Sequence, residues 1–276
     1  MNEPNGICIN GYTLGTIAPG RCSNYVGNCT AGNSATEPYI VAHNLLLAHG
    51  GAVKLYKDKY QPYQHGKIGI TIVAHWFVPK YQTSANRKAT YRVLDFYFGW
   101  FLHPVIYGDY PKSMKSLVGN RLPRFTEAQS NKLLKGSLDF LGVNYYTTNY
   151  VESAPSSNGV NASIVSDRQA TLTADKNGTP IGTPFLKALR LDLHRAFSLL
   201  NSGPLNVSGR LLFIGVLGWV SDTWRSLIGD TCHSLIGPLK SSLTRARVRD
   251  YVPNHGSILE PAFIAIFLKE SEFEVI

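Results

Sequence analysis

Between Lys67 and Val78 the chain runs almost without a polar break through Ile68, Ile70, Ile72, Val73, Ala74, Trp76, Phe77 and Val78. A short β-branched apolar run of this kind, lacking alternation, predicts a strand buried on both faces, as in a parallel sheet. Leu138 to Val151 holds a second such strand. Ahead of the first, Ile40, Val41, Leu45, Ala48 and Val53 recur at roughly helical intervals. Ser34-Ala35-Thr36-Glu37 reads as the capping box that starts this helix, with Pro38 tolerated in its first turn. The helix is expected to end near Lys59, before Gln61-Pro62, and Gly50-Gly51 should weaken its middle by about 1 kcal/mol per glycine. Ser84 or Asn86 can cap a second helix carrying Val93, Leu94, Tyr97, Phe98 and Phe101, which His103-Pro104 is expected to break. Tyr107-Gly108-Asp109-Tyr110-Pro111 is turn-like, and Thr126-Glu127-Ala128-Gln129 is a further capping box, opening a short helix that stops at Gly136.

Strands alternating with helices predict βα units and the α/β class. Residues 5–33, rich in Gly, Asn, Thr and Cys, read as a long loop, and residues 152–184 as a long surface loop. From about Phe185 the character changes. Leu186 to Leu200 can form an amphipathic helix, but beyond it no helix or strand period is sustained, apart from the apolar run Phe263 to Leu268. This pattern divides the chain into residues 1–184 and a tail, 185–276, of irregular or partly helical character.

The 276 residues are 44% hydrophobic, 11% aromatic and only 16% charged, which suits one sizeable globular domain and not a disordered chain. The formal charge of +9 raises the question of an acidic partner. The lysines and arginines are dispersed, with no basic block or nucleic-acid motif, which argues against nucleic-acid binding. Leu211 to Val220 is too short to span a bilayer, and the polar residues after Met1 show no secretion signal. Of the cysteines Cys8, Cys22, Cys29 and Cys232, only Cys22 and Cys29 are close. Their spacing is too wide for a two-residue zinc or redox pair, and a small disulfide-closed loop is preferred over two unpaired thiols. Asn28, Asn161, Asn177 and Asn206 each head a glycosylation sequon.

Two stretches carry chemistry: Asn2-Glu3-Pro4 at the start, and Gly142-Val143-Asn144-Tyr145-Tyr146 far downstream. Together they resemble the plant branch of glycoside hydrolase family 1, the β-glucosidases. The resemblance runs from Asn2 to about Pro184 and includes Ala42-His43-Asn44, His75-Trp76-Phe77, Gly108-Asp109-Tyr110-Pro111 and Arg121-Leu122-Pro123-Arg124-Phe125-Thr126, all in order. It implies a (β/α)8 barrel, no cofactor, no metal and a small-molecule β-glucoside as substrate. Retaining hydrolysis uses two carboxyl groups, one as acid/base and one as nucleophile. By the resemblance Glu3 is the acid/base, Asn2 a ligand of the sugar's 2-hydroxyl, Asn144 a group near the cleft, and Tyr146 the residue that orients the nucleophile. An ordinary buried strand with core tyrosines is the plainer reading of residues 142–146 taken alone. His43 and His49 read as packed or exposed helix residues.

The departures from the family pattern shape the expectation. The family's Ile/Val-Thr-Glu-Asn-Gly nucleophile segment does not occur, and Glu260, Glu270, Glu272 and Glu274 sit in no similar context. The family's first three strands would precede Met1. The expected fold is therefore an incomplete barrel of central βα units with an unrelated tail. The expected chemistry is that of a β-glucosidase relative that is inactive by itself. The alternatives are a non-catalytic carbohydrate binder and, from the charge alone, a basic partner-binding protein. Family members are often secretory, vacuolar or plastidial.

Overall fold

The computed structural model of the chain describes residues 1–182, together with the strands at residues 262–268 and 273–275. Its helices are α1 (Pro4–Gly6), α2 (Glu37–Lys59), α3 (Gln61–Gln64), α4 (Ser84–Leu94), α5 (Trp100–Tyr107), α6 (Lys112–Val118) and α7 (Ile164–Asp167). Its strands are β1 (Gly69–Pro79), β2 (Phe140–Ser153), β3 (Ala170–Thr173), β4 (Asp175–Lys176), β5 (Thr179–Pro180), β6 (Ala262–Leu268) and β7 (Phe273–Val275).

The two apolar runs are the two long strands, and they pair in parallel from Gly69↔Phe140 to Pro79↔Val151. Helices α4 to α6 lie between them in the chain, so the crossover of a βα unit is present. Asn2 bridges to Thr71, also in parallel, which lays residues 1–3 against the free edge of β1. The other edge of β2 is shared by two antiparallel neighbours, β6 along Phe140–Tyr145 and β3 along Tyr150–Ser153. Strand β7 continues the sheet beyond β6, and β4 and β5 form a separate hairpin.

Ile70, Ile72, Leu141 and Val143 bury one face of the pair against Tyr39, Ala42 and Leu46 of α2 and Trp100, Phe101 and Val105 of α5. Phe77, Val93, Leu94, Val151 and Ala170 form a second, smaller cluster nearer the strand ends. Asp139 fastens α2 to the strand starts: it accepts from the Ile68 N–H and from Gln61, and pairs with Lys57. His43 stacks on Phe125 and meets the Tyr110 hydroxyl, and His49 donates to the Ser137 carbonyl, so both are packing residues.

Several local expectations change. Helix α2 ends at Lys59 as its pattern predicts, but Thr36 is its N-cap and no side chain caps it. Ser34 instead accepts from the Ser23 N–H and donates to the Thr13 carbonyl, and Glu37 is held by Arg21 at 2.6 Å, so the long loop takes both capping groups. Thr83, one residue before the expected Ser84, caps α4 by accepting from the Asn86 N–H. Pro104 does not break its helix. A wide π turn at Asp95–Gly99 starts a new segment, and the chain stays helical until Gly108 turns left-handed at φ 83°. The box at Thr126 forms as read, with Gln129 and Thr126 each satisfying the other's backbone N–H. Residues 5–33 begin with helical turns, Pro4–Gly6 and Ile7–Gly11, before the loop opens. Residues 152–184 are not one loop. They hold α7, β3 and the β4–β5 hairpin, and Asp167 anchors them to the core through a two-pronged contact with Arg121 and the Tyr39 hydroxyl. The helix read at Leu186 to Leu200 lies outside the described residues.

Candidate active site

The main chain of Glu3 is fixed by ladder-type hydrogen bonds to β1. Its N–H donates to the Thr71 carbonyl at 2.8 Å, and the Thr71 N–H donates to the Met1 carbonyl at 2.9 Å. The residue itself is left-handed, φ 45° and ψ 49°, immediately before Pro4 opens α1. A non-glycine residue in that region costs about 1 kcal/mol or more, a cost that recurs at functional sites. Below it, the buried Asn5 side chain donates to the Val73 carbonyl and to the Tyr97 carbonyl, tying α1 to β1 and to the π turn.

The β1–β2 ladder slips where it passes this carboxylate. Ala74 pairs with Tyr145 but Trp76 pairs with Thr148, so His75 faces both Tyr146 and Thr147. A bulge of this kind re-aims side chains. Asn144, paired with Val73 just before the slip, donates to Glu3 Oε1 at 2.7 Å and to Asn2 Oδ1 at 3.2 Å. Tyr146, at the slip, donates to the same Oε1 at 2.9 Å. Partial burial and the hydrogen bond to Glu3 raise the Tyr146 phenol above its ordinary value. Glu3 Oε2 has no hydrogen bond among the described residues, which leaves one carboxyl oxygen for a ligand.

Asn2, Glu3, Asn144 and Tyr146, all singled out in the sequence, thus meet at one place. The Tyr146 hydroxyl is spent on Glu3. Among the described residues no second carboxylate is recorded as its partner, in contrast to the nucleophile contact that the resemblance implies. Two further groups stand beside them. His75 Nε2 meets the Tyr97 hydroxyl at 3.3 Å across rings 4.9 Å apart, and burial lowers its basicity while Asn149 and Glu3 act in the opposite direction. Burial pushes the Tyr97 phenol up to about 12, with the Arg168 guanidinium lowering it and Glu3 raising it. His75 lies in a stretch marked by the sequence. Tyr97 is in the sequence one apolar position of a helix, and nothing within its own segment distinguishes it.

Among the described residues no group of three or more His, Cys, Asp or Glu is placed to hold a metal ion, and no helix is long and apolar enough to cross a membrane. Cys22 and Cys29 are joined by a disulfide with an S–S distance of 2.08 Å, and Cys8 is a buried thiol. Asn28, Asn161 and Asn177 are exposed; Asn206 lies outside the described residues. An open cavity of about 740 Å³ runs between the disulfide loop and Gly159 to Ala162, and none of Asn2, Glu3, Asn144 or Tyr146 lines it.

The profile of glycosyl hydrolase family 1 matches residues 1–194. β-Glucosidase 17 of Arabidopsis thaliana is 55% identical over 184 residues, covering 67% of this chain and 35% of its own length. β-Glucosidase 12 of Oryza sativa subsp. indica is 57% identical over 183 residues, 66% of this chain and 36% of its own. Among solved structures, the rice Os3BGlu6 β-glucosidase superposes with a TM-score of 0.64 at 42% identity, over 66% of this chain and 38% of that one. A β-glucosidase of the fungus Humicola insolens, solved with glucose, gives 0.62 at 33% identity, over 72% of this chain and 43% of that one. The chain spans about a third of the length of the curated relatives it matches. Those β-glucosidases are (β/α)8 barrels, and the described βα units correspond to part of one. With its two marked stretches brought together on parallel strands and its first 194 residues matched by the family profile, this chain belongs to glycosyl hydrolase family 1.

Proposed function

We propose that residues 1–184 carry the acid/base side of a retaining β-glucoside site, built on central βα units of the barrel, with the tail contributing β6 and β7 to the edge of the same sheet. Glu3 is the group that protonates the leaving oxygen, acting through Oε2. Asn2 and Asn144 are ligands of the glucosyl hydroxyls, and Tyr146 holds the carboxylate. The observation that carries this reading is the convergence of Asn144 and Tyr146 on Glu3 Oε1, leaving the other oxygen open to a ligand. A general acid needs this arrangement: a fixed carboxyl with one oxygen within hydrogen-bond reach of the reacting atom.

Retaining hydrolysis also needs a nucleophilic carboxylate about 5–5.5 Å from the acid. The chain has no Ile/Val-Thr-Glu-Asn-Gly segment to supply it. We therefore read this chain as one that binds a β-glucoside without completing the retaining cycle by itself. The test uses the whole chain, with phenyl β-D-glucoside for binding by calorimetry and 4-nitrophenyl β-D-glucoside for turnover. Binding that N144A weakens, without turnover above the E3Q variant, is the expected result. Absence of glucoside binding would reject the site. Turnover abolished by E3Q would show that a second carboxylate is supplied and would replace the binding role with hydrolysis.

A further inference from the structure

The open cavity of about 740 Å³ has two walls, the disulfide loop on one side and Gly159, Asn161 and Ala162 on the other. The Tyr25 hydroxyl donates to the Ala162 carbonyl at 2.8 Å and fastens these walls together across 137 positions of chain. Their supports are fixed. The Cys22–Cys29 disulfide closes the loop, Ser23 and Ser34 exchange hydrogen bonds at 2.8 and 2.9 Å, and Arg121 is held by Asp167 and by the Ala35 carbonyl. The lining carries hydroxyls and carboxamides at Ser23, Asn24, Thr30 and Asn33, beside a Tyr25 side chain that is 42% exposed. Polar groups that exchange hydrogen bonds with hydroxyls, next to one aromatic ring, suit a sugar.

Asn161 heads the sequon Asn161-Ala162-Ser163, lines this cavity, and is exposed in a left-handed turn at φ 49°. The chain is pinned directly after it: Ala162 and Ser163 are buried, and Ser163 and Ser166 form the reciprocal cap that starts α7. The other sequon asparagines among the described residues are placed differently. Asn28 is exposed but does not line the cavity, and Asn177 accepts from the Tyr81 hydroxyl at 3.5 Å in the turn between β4 and β5.

We infer that Asn161 is an N-glycosylation site and that the cavity seats the first N-acetylglucosamine of its glycan. The modification joins Asn161 Nδ2 to C1 of the sugar as the bond from C1 to a lipid-linked diphosphate donor breaks. The diphosphate leaves with the electron pair, and the carboxamide gives up one proton. Transfer takes place on the unfolded chain, before the Ser163 hydroxyl is spent on its cap. The folded chain then closes the sugar between Tyr25 and the segment that bears it. The inference is independent of glucoside binding at Glu3.

The test uses the whole chain secreted behind a leader peptide from a eukaryotic host, with its glycopeptides read by mass spectrometry. Asn161 should carry a glycan, and an unmodified Asn161 would overturn the inference. The seat is then tested on protein trimmed by an endoglycosidase to a single sugar at each site. N161D, trimmed in the same way, is the reference, since an aspartate tolerates the left-handed turn and takes no sugar. The trimmed parent should melt about 2–4 °C above N161D, and equal melting would reject the seat. Y25A removes one wall, so in that background the two should melt together; a difference that survives Y25A would also reject the seat. Should Y25A fail to fold, amide hydrogen exchange of residues 22–35 replaces it. Slower exchange in the trimmed parent than in N161D is expected, and identical exchange would place the glycan in solvent.

Discussion

The Tyr146 hydroxyl donates to Oε1 of Glu3 at 2.9 Å, joining residues 143 positions apart in the chain. Asn144 reaches the same oxygen at 2.7 Å, so the two donors share one acceptor. Residues that share a partner couple non-additively. N144A and Y146F should each weaken phenyl β-D-glucoside binding by about tenfold, the scale of one hydrogen bond to a charged group. The double variant should lose less than the product of the two. Calorimetric titration of the four proteins checks this, and strict additivity would show that Glu3 is not the common element.

Asp167 accepts from Arg121 and from the Tyr39 hydroxyl with its side chain 4% exposed. D167A should cost about 3 kcal/mol, because it leaves a guanidinium and a buried phenol without their acceptor. Urea unfolding of the variant against the parent measures the loss.

The adjacent glycines of α2 should respond in opposite directions. A Cβ on Gly50 would sit 2.7 Å from the Leu133 carbonyl oxygen, whereas one on Gly51 meets nothing within 4 Å. G51A should stabilise by about 0.5–1 kcal/mol, the usual gain for replacing a helical glycine. G50A should destabilise by about 1–3 kcal/mol through overpacking. Thermal melts of the two variants separate these outcomes.

Acid should unfold the chain in two stages. Burial lowers the basicity of His49, with its bond to Ser137 opposing and the chain's amino group reinforcing the shift, and burial does the same for His43. A histidine whose folded pKa is depressed stabilises the fold fully above its unfolded value. That contribution drains as pH falls below 6.5 towards the folded value. The carboxylates add a lower stage. Arg21 holds Glu37 below its ordinary value, and Lys57, the Ile68 N–H and Gln61 together outweigh desolvation to do the same for Asp139. Their contribution is present above the ordinary values of 4.5 and 3.8 and is lost as pH falls through the folded ones. Urea midpoints between pH 8 and pH 3 should fall in both windows. A flat profile down to pH 5 would remove the histidine stage.

The sequence alone determined the elements whose signal is local. The runs at Lys67 to Val78 and Leu138 to Val151 are strands because β-branched residues without alternation fit a doubly buried parallel pair. The end of α2 at Lys59 and the cap at Thr126 follow from neighbours a few positions away. Asn2, Glu3, Asn144 and Tyr146 were legible as a set through motif resemblance, which places residues without locating them relative to one another. Tertiary structure decided what depends on competition between distant partners. Ser34 and Glu37 had the spacing to cap their own helix, yet the loop's Ser23, Thr13 and Arg21 claimed them. Pro104 stays inside a helix although it cannot donate to the Trp100 carbonyl, in a segment that starts anew after the π turn at Asp95–Gly99. Tyr97 carries no local mark, since its meeting with His75 depends on a strand whose ladder slips at that residue. Periodicity records which face of an element is buried, and only the packed chain determines which polar group on that face meets another.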